Sequence, residues 1–210
     1  MKRTTLRFDQ LNSLSREEYE EYFGVMNISD DQKEDRVLTA MALEDRFLKI
    51  FAFIQWRIDN GEMFVADSIP MFEEAFLIVA LTRLGLTEED VSDDALRFAT
   101  DVALSTYRNR ETPYFLSADR AVNMAKTESN NINCHGELLD AKKAGYRTKT
   151  WCTIIDGRER DWHGAEDGYT LPIDEPFEII GELLMYPTDR SLGASADNIS
   201  NCRCSLSYGY

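Results

Sequence analysis

The chain has 210 residues, 43% of them hydrophobic, and carries a formal net charge of −15 at neutral pH. That is enough apolar material for a genuine core in one domain of ordinary size or two small ones, and no apolar run approaches the roughly 20 residues of a membrane span. The acidic excess lies on both sides of Asp119, so the surface repels phosphate and a broad DNA-binding face is disfavoured.

Met1-Lys2-Arg3 leads into polar sequence without the apolar region of a signal peptide. The expectation is a reducing cytoplasm in which Cys134, Cys152, Cys202 and Cys204 are thiols rather than a disulfide framework. Ser15 with Glu18 reads as a capping box, and Gly24 stops the short helix that follows. Leu43, Phe47, Ile50, Phe51, Ile54 and Ile58 recur in steps of three and four, which predicts a long amphipathic helix from about Asp31 to Asn60. Ser68-Ile69-Pro70 opens another, carrying Phe72, Phe76, Val79, Leu81 and Leu84 up to Gly85. Ser92 with Asp93 and Asp94 starts a third, with Leu96, Ala99, Val102, Ala103 and Tyr107 along one side. The helical spacing of Phe47, Phe51, Trp56, Phe72 and Phe76 assigns them to packing between helices rather than to an aromatic ligand box. Residues 1–116 therefore read as a helical region. No glycine-rich phosphate loop, nucleophile elbow or paired-histidine zinc helix occurs in the chain.

Ser117 caps a helix predicted to run to Ala144 and to close at Gly145. Glu128, Asn131 and His135 share one of its faces, and Met124 extends the stripe. A polar stripe on a helix that also carries Ala121, Ala125, Ile132 and Leu138 requires partners. Lys142, Lys143, Arg147 and Lys149 form the chain's basic cluster and fit a solvated helix end, which leaves packaged DNA as the less favoured partner. Lys149 to Ile155 alternates as a strand and Asp156-Gly157 supplies a turn. Arg158, Arg160, Asp161 and His163 then crowd around Trp162, too much charge for a core strand. Asp167-Gly168 is another turn signal, and Tyr169 to Leu171, and Phe177 to Ile180 before Gly181, mark further short strands. The fold class is α+β: an N-terminal helical bundle packed on a C-terminal unit of one long helix and a small, mainly antiparallel sheet.

Several motifs recur in a fixed order over residues 117–206. They are Asp119-Arg120-Ala121 with Ala125 and Thr127-Glu128; Gly136 and Gly145; Trp151; Asp156 with Arg160 and His163; Pro176-Phe177; Pro187; and Asn201-Cys202-Arg203-Cys204. This pattern resembles the phage head morphogenesis family, the minor head proteins similar to protein F of phage Mu. The resemblance implies that residues 117–210 form the family's domain. It also implies a structural virion component of the phage head, made in the bacterial host cytoplasm. Its partners would be the portal protein and capsid or scaffold proteins, and its role head assembly or genome packaging and delivery, without enzymatic activity.

The same residues support three readings of the site. In the first, Cys202 and Cys204 are small buried thiols on one side of an extended segment and Arg203 projects from the other, paired bidentately with a carboxylate such as Glu128 or Asp156. Arg120, Glu128, Asn131, Asp156, Arg160, His163 and Arg203 would then form a structural network. In the second, His163, Cys202 and Cys204 bind zinc, with Cys152 or Asp161 in support, although a single Cys-x-Cys lacks the paired Cys-x-x-Cys spacing of common structural sites. In the third, the protein is a hydrolase or transferase: Glu128 and His163 supply acid–base groups and Cys202 or Cys204 a nucleophile, but no motif fixes an oxyanion donor or a cofactor. No residue is assigned a catalytic role, and zinc is the one cofactor left open.

Overall fold

The computed structural model describes residues 16–210 and is of the α+β class. The capping serine expected at position 15 lies outside the described residues. Helix α1 covers Arg16–Gly24 and α2 Asp30–Asp59. Ser29 caps α2 in a reciprocal box with Gln32, which satisfies the backbone N–H groups of both residues. The apolar stripe of α2 turns inward: Leu43, Phe47, Ile50, Phe51 and Ile54 are buried. Arg36 stands in register with that stripe and is buried too.

Helix α3 runs Val65–Leu84 and begins earlier than Ser68-Ile69-Pro70 suggests. Pro70 sits inside it, and both Pro70 and Ala66, whose carbonyl loses its usual donor, are exposed. Helix α4, Glu88–Arg108, starts from Thr87, not from Ser92. Thr87 and Asp90 form a capping box, whereas Ser92 has no acid or amide three residues on. The buried face of α4 is Val91, Ala95, Phe98, Ala99, Ala103 and Thr106; Leu96, expected on that face, is turned to solvent.

A 3₁₀ turn at Pro113–Leu116 leads into α5, Ala118–Lys143, capped by Ser117 and ended by Gly145 in the left-handed region (φ 85°). Strand β1 (Thr148–Cys152) is the centre of a three-stranded antiparallel sheet. Its flanking strands are β2 (Thr170–Pro172) and β5 (Ser205–Gly209), and Trp151 pairs with Leu206. β1 is shorter than the Lys149–Ile155 alternation suggests because the Thr153 N–H is captured by the Asp167 carboxylate at 2.7 Å. Helix α6 (Asp161–Ala165) occupies the loop expected as a charged turn. Strands β3 (Phe177–Ile179) and β4 (Glu182–Leu184) form a hairpin over Ile180-Gly181, and α7 (Ala196–Ile199) precedes the last strand. No helix among the described residues is long and apolar enough to cross a membrane.

Two hydrophobic clusters result. Phe47, Phe51, Phe72, Phe76 and Phe98 interlock at the centre of the helical one, with neighbouring ring centroids 5.5–6.2 Å apart. Trp56, expected beside them, is instead 55% exposed. Trp151, Phe177, Ile179 and Leu184 form the second cluster. Helix α5 serves both, giving Ala121, Ala125 and Ile132 to the first and Cys134, Leu138 and Ala141 to the second.

The basic cluster is dispersed. Lys142 pairs with Asp174 at 2.7 Å, while Lys149, expected at a solvated helix end, is fully buried and donates from Nζ to the Met185 carbonyl at 2.7 Å. Alternation along β1 explains this, because Lys149 and Trp151 share the inward face. Burial pulls the Lys149 amine down to about 8.

The buried Arg36 guanidinium holds both carboxylate oxygens of Glu137, at 2.7 and 3.0 Å, and the Asn130 side-chain carbonyl at 2.9 Å. Arg36→Ala should therefore cost about 3–5 kcal/mol in urea or thermal unfolding, because it leaves Glu137 without its counter-charge. A variant that unfolds with the parent's midpoint would contradict this account of how α2 is held to α5.

Candidate functional site at the Asn-Cys-Arg-Cys segment

The buried length of α5 is unusual in carrying Thr127, Glu128, Ser129, Asn130, Asn131 and Asn133 in its interior. Two of its faces are polar seams. One meets the segment at 186–190: His135 stacks on Tyr186 with centroids 5.1 Å apart, Asn131 Nδ2 donates to the Thr188 carbonyl at 2.8 Å, and Glu128 accepts from Arg190 at 2.5 Å. The stripe read from the sequence is thus the docking face for a chain segment running antiparallel to it. Tyr186 and His135 also meet Asp94 of α4, at 3.0 and 3.6 Å. Burial pushes the Asp94 carboxyl up and the His135 imidazole down.

The other seam bonds residues 201, 202 and 204, and Arg160 holds Ser200 from outside α5. The Ser200 carbonyl accepts from Arg160 at 2.7 Å, and the Asn201 N–H donates to Thr127 Oγ1 at 2.9 Å. Both N–H groups of the Asn130 amide are used, on the Cys202 and Cys204 carbonyls at 3.0 Å each. Asn201 has φ 53°, a left-handed conformation that asparagine tolerates better than most residues. The bend it makes lets Cys202 and Cys204 turn inward while Arg203 faces the other way.

Arg203 forms a two-pronged pair with Asp156, both N···O distances being 2.8 Å. Its partner is therefore the turn after β1 and not Glu128 of the long helix. Arg203 beside it holds the Asp156 carboxyl well below the usual carboxylate range. Glu128 belongs to Arg190, which sequence reasoning missed; burial pushes the Glu128 carboxyl up against the pull of that guanidinium. Arg120 bonds Thr106, Ser105 and the Phe115 carbonyl and lies over the Phe115 ring. The seven residues expected as one network thus fall into separate groups: Arg203 with Asp156, Arg160 and His163 around α6, Glu128 and Asn131 on the 186–190 seam, and Arg120 at the α4–α5 corner. Glu128 lines a cleft of about 590 Å³ with Phe98, Ser105, Arg120, Arg190 and Asn201. That places it away from the cavity of His163 and the cysteines.

Around His163 the geometry is tight. Its Nδ1 lies 3.5 Å from Cys202 Sγ and 3.6 Å from Cys204 Sγ, and all three residues are buried. The ring's orientation follows from Asn198. The Trp162 indole N–H, a donor only, reaches Asn198 Oδ1 at 2.8 Å, while Asn198 Nδ2 donates to Glu182 at 2.7 Å and to the Ile179 carbonyl at 3.3 Å. The atom facing His163 Nε2 at 3.3 Å is therefore an acceptor, so a neutral ring carries its proton on Nε2 and aims the Nδ1 lone pair at the two sulfurs. The Cys204 N–H points at Cys202 Sγ from 3.4 Å. Contact with Cys202 draws the Cys204 thiol down to about 5, and the same contact together with burial pushes the Cys202 thiol up. Cys134 stands apart under Arg36, its thiol pushed up to about 12 by burial, and Cys152 is half-buried beside Ser207.

The sequence model of the phage Mu protein F like protein family matches residues 99–207, just over half of the chain. The match begins within α4 and takes in α5, both polar seams and the Asn-Cys-Arg-Cys segment. No curated protein and no solved structure matches the chain.

Two arginines separate buried from accessible pairing. Arg190→Ala leaves Glu128 as a buried unpaired carboxylate and should cost about 3–5 kcal/mol. Arg203→Ala should cost measurably less, because Asp156 keeps Arg158 at 2.9 Å and reaches solvent. Since its folded carboxyl lies below the ordinary range, Asp156 contributes stability that is complete above about pH 5 and is lost progressively as the pH falls further. Asp156→Asn should accordingly flatten the acid limb of a urea-unfolding series, and an unchanged acid limb would show that the pair contributes nothing.

Proposed function

The chain belongs to the phage Mu protein F like family, and we propose on that premise that it is a minor head protein that joins the phage head by docking on the portal or the inner capsid during assembly. The observation that carries the reading is the family match over α5 and the C-terminal sheet. The site's build supports an architectural part: its polar groups are spent on holding chain segments to one helix. A high negative charge keeps such a component soluble before it docks and argues against the packaged DNA as the principal partner.

The contact surface is best sought on the helical half. Trp56 and Met63, 55% and 62% exposed, flank the α2–α3 connection. Between them Arg57 braces the loop through the Met63 carbonyl, at 2.6 and 3.0 Å, and through Asp67 at 2.7 Å. A recess lined by Ile58, Met63, Phe64 and Tyr107 lies alongside. An exposed tryptophan in the last turn of a helix, leading into a braced loop with a recess, is the kind of anchor that dominates protein–protein contacts.

Purified particles of the phage that encodes the chain should contain it at a fixed low copy number by mass spectrometry. Trp56→Glu should leave the far-ultraviolet circular dichroism and melting temperature of the free protein near those of the parent while lowering its incorporation at least tenfold. Particles without the protein would refute the head assignment. Normal incorporation of the Trp56 variant would refute only this contact.

A further inference from the structure

We propose that His163, Cys202 and Cys204 form a zinc site that ties α6 to the Asn-Cys-Arg-Cys segment. Their ligand atoms, Nδ1 and two Sγ, lie within 4.8 Å of one another, and no other such group of histidine, cysteine or acidic side chains occurs among the described residues. The spacing fits the metal. With zinc–sulfur bonds of about 2.3 Å and zinc–nitrogen bonds of about 2.0–2.1 Å, a tetrahedral angle puts nitrogen and sulfur about 3.5–3.6 Å apart. The two Nδ1···Sγ separations are 3.5 and 3.6 Å.

Three further features point the same way. The Trp162–Asn198 arrangement fixes the imidazole with its Nδ1 lone pair toward the sulfurs, as a carbonyl behind a metal-bound histidine does. The Cys204 N–H is directed at Cys202 Sγ, where it supports a thiolate. A void of about 20 Å³ lined by His163, Cys202, Cys204, Thr153 and Arg160 adjoins the three ligands and is large enough for one water as the fourth. Two cysteinate charges offset those of the ion, so the occupied site is neutral. Binding releases the thiol protons to solvent and involves no change of oxidation state.

The single Cys-x-Cys is enough because the remaining protein ligand comes from another element. Asn130 holds the carbonyls of both cysteines, so their side chains are aimed before any ion arrives. The site rests on this preorganisation and not on the head-protein reading, and its test is independent of particles.

The full chain, purified under reducing conditions and passed through a desalting column, should carry about one equivalent of zinc by inductively coupled plasma mass spectrometry. The cobalt(II)-exchanged protein should show thiolate charge transfer in the near ultraviolet and the intense visible bands of tetrahedral cobalt. Cys202→Ser and Cys204→Ser should abolish both signals, whereas Cys152→Ser should leave them intact. Asn198→Ala, which removes the support behind His163, should weaken zinc binding roughly 10- to 100-fold in a chelator competition. The proposal is overturned if the parent protein takes up no stoichiometric zinc and gives no thiolate–cobalt band, a result that does not depend on how any variant folds. Metal retained by the double Cys202→Ser, Cys204→Ser protein would overturn it equally.

Discussion

Everything in the C-terminal half depends on partners for the polar interior of α5. Between Thr127 and Asn133 that helix buries six polar side chains, and an unpartnered buried polar group costs about 1–3 kcal/mol. The structure meets the demand from three sides. Asn130 receives Arg36 of α2 on its carbonyl and gives its amide to Cys202 and Cys204, Asn131 holds Thr188, and Glu128 holds Arg190. One asparagine thereby joins the long N-terminal helix, the family helix and the last segment of the chain. An apolar residue at position 130 would take this partner from the Arg36 Nε and from two carbonyls at once.

Much of the frame was legible in the sequence because its signals are local. Ser117 and Gly145 bound α5, and the three–four spacing of Leu43 to Ile54 marks the inner face of α2. Boundaries went astray where two signals competed. Thr87 prevailed over Ser92 because its acid partner at Asp90 completes the reciprocal cap, and Pro70 could sit within α3 because it lies on the exposed side. Leu96 and Trp56 were misplaced for another reason. Apolar character says nothing about which side of a stripe a residue falls on, and both stand off the buried face of their helices.

The site was legible only in part, and the division follows sequence distance. Glu128, Asn131 and His135 were visible as a stripe because all three lie on one helix. Arg190, which completes the stripe, stands 62 residues from Glu128 in a segment without regular structure. Arg36 left a faint trace as a charged residue in register with an apolar stripe. Asn130 left another, since Ser129, Asn130, Asn131 and Asn133 crowd a helix interior that their propensities disfavour. Residues of that kind persist mid-helix when tertiary partners hold them. Glu128 and Asp156 both stood as partners for Arg203, and only the structure selects Asp156, because extended geometry fixes the side on which an arginine projects but not which carboxylate waits there.

The same arrangement bears on how the two hydrophobic clusters behave. Each half of α5 packs in a different one, so a hinge within α5 would be expected if the polar middle were solvated. Instead the middle is the most enclosed part of the helix, and it becomes so only when α2 and residues 186–204 are both in place. Apolar contacts tolerate small slips of register, whereas an amide that must meet two carbonyls and a guanidinium does not. The polar seams therefore tie the two cores together through α5, and they set the Asn-Cys-Arg-Cys segment to within a hydrogen bond's tolerance. That positioning holds Cys202 and Cys204 on one side, facing His163, and leaves Arg203 on the other to close the turn at Asp156.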